Sequence, residues 1–211
     1  MKKLTFLLCA FLTFSSYAEV LNVEYSRFYS HVRKLNDEDT KALQFAFGFV
    51  RVGEGHLCKI NDAKIVTQKQ TLPLEVTSEN RFTVPSEKVL KMAEAVVRID
   101  LEEAANVCDM SVQLETKPEY LKTEYTAEEL DMLLEQYRSF FNEMGSFLSF
   151  MMPSVEGLLF HFENGTLNTA PKDTPAINGG MLMLKTQWLE QKKSLSLPEK
   201  PLRITAIASK G

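Results

Sequence analysis

The sequence predicts an α+β fold: a mostly antiparallel, sandwich-like set of strands, one long amphipathic helix, a short N-terminal helix and one disulfide. Three observations predict it. Apolar residues alternate with polar ones from Leu43 to Leu114, the period of half-buried strands. A capping box at Thr126-Ala127-Glu128-Glu129 then opens a run with helical spacing. After Pro153 the period returns to two.

The chain begins with the three parts of an export leader. Lys2 and Lys3 form a positive start, Leu4 to Phe14 is apolar, and Ser16 and Ala18 are the small residues that a signal peptidase requires. The expected cleavage lies between Ala18 and Glu19. The apolar run is about 11 residues, short of the roughly 20 that a membrane-crossing helix needs. Cys9 follows Leu7-Leu8 in mid-run, so the leader lacks the small residue that precedes a lipidated cysteine. Residues 1–18 are therefore expected to be removed, leaving 19–211 as one α+β domain, with a subdivision at 19–116 and 117–211 as the alternative.

In the remaining chain, Tyr25, Phe28, Tyr29, Val32 and Leu35 recur at helical spacing until Asn36-Asp37-Glu38-Asp39 interrupts them. Leu43, Phe45, Phe47 and Phe49 open the alternating region. Gly53 and Gly55 turn the chain toward Cys58, and Asn61-Asp62 marks a further turn before Ile65. Leu72, Leu74 and Val76 follow, then Phe82 and Val84, a short helix within 86–93, and a strand with Val97, Ile99 and Leu101. Cys108 shares an apolar face with Met110, Val112 and Leu114, as Cys58 does with Ile60. Cys9 leaves with the leader, so Cys58 and Cys108 form an even pair in an oxidising compartment, and a disulfide between them is expected.

The long helix carries Leu130, Leu133, Leu134, Tyr137, Phe140, Phe141, Met144, Phe147, Leu148 and Met151 on one stripe, with Gly145 inside it and Pro153 as its stop. Phe150 and Met152 extend the stripe off its main face. Such a helix most simply covers a sheet, and the alternative is a groove for a lipid or peptide or a dimer seam. Leu158, Phe160 and Phe162 then alternate into Asn164-Gly165, the pair favoured in a two-residue hairpin turn. Met181 to Leu189 fits strand or helix, and Leu202 to Ile207 is a closing strand.

The pattern Cys58-x-Ile60-x-x-Ala63-x-Ile65, then Phe82-x-Val84-Pro85, then Cys108-x-Met110 resembles a family of exported, gammaproteobacterial-type proteins catalogued as a domain of unknown function. The resemblance implies export and carries over no catalytic residue.

Composition narrows the partners. Loss of Lys2 and Lys3 takes the formal charge from -4 to -6, and the remaining basic residues are scattered, which argues against nucleic acid or anionic lipid as the main partner. No later stretch is long and apolar enough to span a membrane.

His161 and Glu163, two apart on a strand, are the best acid–base or metal-binding pair, although a solvent-facing strand end explains them more simply. A metal would require a third ligand, and His31 and His56 lie in distant segments. Asp37-Glu38-Asp39 lacks the spaced oxygens and glycine of a calcium loop. Gly179-Gly180 lacks the lysine of a phosphate cradle, and Trp188 is read as a packing residue before a sugar platform. No catalytic, cofactor-binding or metal-ligating set is assigned. The first expectation is a periplasmic or secreted binding module that uses an apolar groove or sheet edge to hold a protein, peptide or lipid, or to form a homodimer. The alternative is a cell-envelope hydrolase or metal-dependent enzyme built on His161 and Glu163.

Overall fold

A computed structural model describes residues 19–35, 37–144, 154–170 and 173–209. The expected leader, the cleavage-site residue Ala18 and the helix positions from Gly145 to Pro153 lie outside the described residues. The architecture is α+β with antiparallel strand pairing throughout.

The chain enters as strand β1 (Glu19–Glu24), which the sequence reading did not foresee. β1 lies at the edge of a four-stranded sheet in the order β1-β5-β3-β4, with β3 at Ile60–Val66, β4 at Thr71–Leu74 and β5 at Val96–Leu101. Its register runs from Glu19 opposite Leu101 to Glu24 opposite Val96. Helix α1 (Tyr25–Val32) follows at once, burying Tyr25, Phe28 and Val32 at the spacing of one helix face. Asn61 and Asp62, expected in a turn, lie inside β3, where the register against β5 shifts between Ile60 and Asp62. Two turn-forming residues therefore mark a bulge that bends the strand without ending it.

The second layer is built on β2 (Leu43–Arg51) and β6 (Cys108–Thr116), paired from Leu43 opposite Thr116 to Arg51 opposite Cys108. The side chains of Phe45, Phe47 and Phe49 alternate onto one face. That face meets the helices: Phe28 of α1 packs edge-on against Phe47 with ring centroids 4.9 Å apart. Phe140 does the same with Phe45 at 5.6 Å. Met110 was expected on the apolar face and is 39% exposed, because it lies near the rim where β6 begins.

Phe140 belongs to α3 (Ala127–Met144), whose capping box is present as expected. The Glu129 amide donates to Thr126 Oγ1 at 3.3 Å, and the Thr126 amide donates to Glu129 Oε2 at 2.9 Å. Leu130, Leu133, Leu134, Tyr137 and Phe140 form its buried stripe. Short elements complete this part of the chain: α2 (Lys88–Met92) lies between β4 and β5, and β7 (Glu124–Tyr125) precedes α3.

A three-stranded sheet in the order β11-β8-β9 forms the rest, with β8 at Val155–His161, β9 at Met181–Lys185 and β11 at Arg203–Ala208. The two-residue hairpin expected at Asn164-Gly165 is not formed, and β8 pairs instead with the later strand β9. The chain leaves β8 at His161 and re-enters β9 only at Met181. Asn164 Oδ1 accepts the Thr166 amide at 3.0 Å, so Asn164 organises a local turn inside a long loop. Gly157 shows why β8 and β9 fit so closely: a Cβ there would lie 2.1 Å from the Leu184 carbonyl oxygen. Met181 to Leu189 is strand and then helix, since α4 (Thr186–Leu189) follows β9 directly. β10 (Leu195–Ser196) pairs with β7.

Candidate functional site

Two strand pairs from different sheets come together at β6 and β11, which run side by side. Tyr137 ties them: its hydroxyl donates to the Ile204 carbonyl at 2.7 Å. Its single proton is thereby committed, so Thr116 Oγ1, at 3.1 Å, donates to the Tyr137 oxygen. Burial pushes the Tyr137 phenol well above its usual range. One side of the β2–β6 and β11–β8–β9 strands packs on the helices through Phe45, Phe47, Leu158, Phe160 and Leu182. Alternation puts Gln44, Glu115, Arg203, Thr205, His161, Leu159, Met181 and Met183 on the other side.

The charged end of this second face is closed by a tight turn over residues 77–81. The Thr77 amide donates to the Arg81 carbonyl at 2.7 Å, and Asn80 takes a left-handed φ of 55° while its Oδ1 accepts the Ile60 amide at 3.2 Å. Gly48 lets the turn approach β2: a Cβ there would be 3.0 Å from the Asn80 carbonyl oxygen and 3.5 Å from Arg81 Cγ. Glu79 thus reaches Arg203 of β11, and Arg81 comes near Arg203 and Glu115 of β6.

Arg203 is the hub. Its Nη1 is ion-paired with Glu79, and its Nη2 lies 3.2 Å from His161 Nδ1. A guanidinium can only donate, so Nδ1 accepts and the His161 proton resides on Nε2. Nε2 in turn lies 3.3 Å from Thr205 Oγ1. Burial first, and the Arg203 charge second, bring the His161 pKa down to about 4. Glu115 accepts from Gln44 Nε2 at 2.9 Å, and burial raises its pKa against the opposing influence of that hydrogen bond and of the two arginines.

Arg81 has the least complete set of partners. Burial, followed by repulsion from Arg203, lowers its pKa. Its Nε and Nη1 are buried with no acceptor among the described residues, and the same is true of Arg203 Nε. The nearby carboxylates are already engaged, Glu79 by Arg203 and Glu115 by Gln44.

The apolar end of the face is a groove of about 590 Å³ lined by Leu159, Pro175, Met181, Met183, Lys185 and Trp188, among others. Met181 and Met183 are 46% and 53% exposed, whereas Leu182 and Leu184 between and beyond them are fully buried. Trp188 Nε1 donates to the Asp173 carbonyl at 3.2 Å, which fixes the indole at the groove wall.

The expected site residues fall as follows. Cys58 and Cys108 form the disulfide, with Cα atoms 6.4 Å apart. Glu103 lies close enough to both sulfurs to suggest a metal cluster, but its Oε2 accepts the Lys59 amide and the sulfurs are bonded to each other. Glu19 is the first described residue and pairs with Leu101. His161 is inside the polar cluster, but its partners are Arg203 and Thr205. Glu163 lies past the end of β8 on an exposed bend, so the proposed acid–base pair is not assembled. The strand stops at His161, and the two-residue spacing no longer keeps them on one face. His31 packs edge-on against Phe45 and Phe47, and His56 is exposed beside Glu54. Glu38 of the acidic run pairs with Lys41. Phe150 and Met152 lie outside the described residues.

Arg81, Arg203 and Glu79 were missed because their partners are far away in sequence. One clue was available: Arg203 opens an otherwise apolar closing strand. No curated protein and no solved structure matches the chain. A family described as a protein of unknown function (DUF2987) matches residues 17–162, from β1 through β8, so the chain belongs to that family.

Proposed function

We propose that this is an exported, periplasmic, non-enzymatic binding module whose recognition surface is the groove over Leu159, Met181, Met183 and Trp188. The exposure of Met181 and Met183 on a strand whose alternate residues are fully buried carries the reading. Methionines are adaptable apolar contacts, and the groove volume of about 590 Å³ suits a small apolar ligand. Export is supported by the charged, apolar and small-residue parts of the leader and by a disulfide, which persists in oxidising compartments. Among the described residues no helix is long and apolar enough to cross a membrane. A hydrolase built on His161 and Glu163 gains no support from a histidine bound to Arg203 and an acid beyond the strand.

Trp188 is the only tryptophan in the chain, so its emission reports directly on the groove. Titration of the processed protein with the neutral apolar probe N-phenyl-1-naphthylamine is expected to give saturable energy transfer from Trp188. Met183→Glu is expected to weaken it about tenfold or more by placing a charge against the apolar wall. Linear, non-saturating quenching in the wild type would remove the groove as a binding surface. In the same preparation, a mass beginning at Glu19 supports export; an intact leader on cytoplasmic protein contradicts it.

A further inference from the structure

The charged cluster and the apolar groove are two ends of one surface. β11, β8 and β9 are successive neighbours, and their registers place Arg203 opposite His161 and His161 opposite Met181. One step along the strands, Thr205 is opposite Leu159 and Leu159 opposite Met183 on that same face. Directly opposite residues stand side by side. Two strand spacings, about 10 Å, therefore separate the Arg203 backbone from that of Met181. Moving across the strands, the surface changes from guanidinium to imidazole to thioether, and then to the Trp188 indole.

The charged end is short of acceptors. Arg81 Nε and Nη1 and Arg203 Nε are buried without a protein partner among the described residues. Leaving such donors unmatched is costly, and ionised donors cost the most. The rim of the cluster meets solvent, with 16% of the Arg203 side chain and 27% of the Glu79 side chain exposed, while the unmatched N–H atoms themselves are buried. Two guanidiniums face two carboxylates here, and both carboxylates are already engaged, Glu79 by Arg203 and Glu115 by Gln44. The free N–H groups of Arg81 and Arg203 therefore call for acceptor oxygens from outside the described residues.

We propose that the ligand is an amphiphilic monocarboxylate, its carboxylate held at Arg81 and Arg203 and its apolar chain laid across β8 and β9 to Trp188. The inference rests on the groove reading above and adds the ligand class to it. A chain in this direction crosses the strands, so the ligand does not add to the sheet as a further strand in the way an extended peptide would.

The test compares dodecanoate with dodecanol, each below its aggregation limit, by Trp188 emission of the processed, oxidised protein. Dodecanoate is expected to bind about tenfold or more tightly than the alcohol, the range of a charge-assisted hydrogen bond. Arg81→Gln is expected to abolish that preference while leaving dodecanol affinity unchanged, and Arg138→Gln, on the exposed side of α3, is expected to keep it. Equal binding of acid and alcohol by the wild type would overturn the carboxylate site and leave the groove intact. Failure of both ligands to bind would overturn both readings. A preference that persists in Arg81→Gln would overturn the assignment to Arg81. Where that replacement unfolds the chain, the wild-type Arg81 Nε–H resonance decides: a saturable shift with dodecanoate and none with dodecanol supports the site, and any other pattern overturns it.

Discussion

His161 shows how a residue selected for chemistry becomes part of a charge-positioning network. Arg203 donates to its Nδ1, and burial followed by that positive charge brings its pKa to about 4, against about 6.5 in an unfolded chain. Between these values the unfolded chain binds the additional proton, so stability rises with pH across roughly 4 to 6.5 and is lost as pH falls through that window. The side chain is partly solvated, and screening reduces the contribution to about 1 kcal/mol. Urea unfolding at pH 7 and at pH 4.5 is expected to show the wild type losing about 1 kcal/mol more than His161→Gln. Equal losses would assign the acid sensitivity to other groups. The sequence set His161 beside Glu163, and the structure gives it Arg203 and Thr205 as partners instead. Glu163 was near in sequence, whereas Arg203 is 42 residues away and reaches His161 only through the β8–β11 pairing.

Among the elements, α3 was the most legible, because its start is encoded locally. Thr126 and Glu129 satisfy each other's amides, and the apolar stripe repeats with the helix. Thr126→Ala is expected to lower stability by about 1 kcal/mol, the usual cost of losing an N-cap, as measured by the urea midpoint at unchanged m-value. A change below a few tenths would mean that Lys122, which pairs with Glu129, holds the helix start unaided. The β8–β9 connection was misread because Asn-Gly is a local preference that a long loop also uses, here with the Asn164 side chain binding the Thr166 amide. The Asn61-Asp62 bulge has the same origin. Turn residues tell where the backbone bends and leave open whether the strand ends there.

At the scale of the molecule, the buried residues of all the sheets and of α1 and α3 join into one contiguous core. Periodicity indicated which residues enter that core; which strands become neighbours depends on pairings between distant segments, and β1 and the β6–β11 junction were invisible for that reason. The Cys58–Cys108 bond was legible from the expectation of export and the facing pattern together. It closes a span of 50 residues, for which loss of unfolded-chain entropy predicts about 4 kcal/mol of stabilisation. The double replacement Cys58→Ala and Cys108→Ala is expected to lower the unfolding free energy by that amount relative to the oxidised protein. A loss under about 1 kcal/mol would indicate an unfolded state already held compact without the bridge.

The same bond makes residues 58–108 a covalent hoop. The turn at 68–70 is exposed and lies inside that hoop. A chain cut there remains one molecule, its two pieces fastened by sulfur, and the larger piece keeps Glu79, Arg81, Glu115, His161 and Arg203 on a single stretch of backbone. While the bond stays oxidised, the hoop keeps the residues of the charged cluster in one molecule after a nick at that turn.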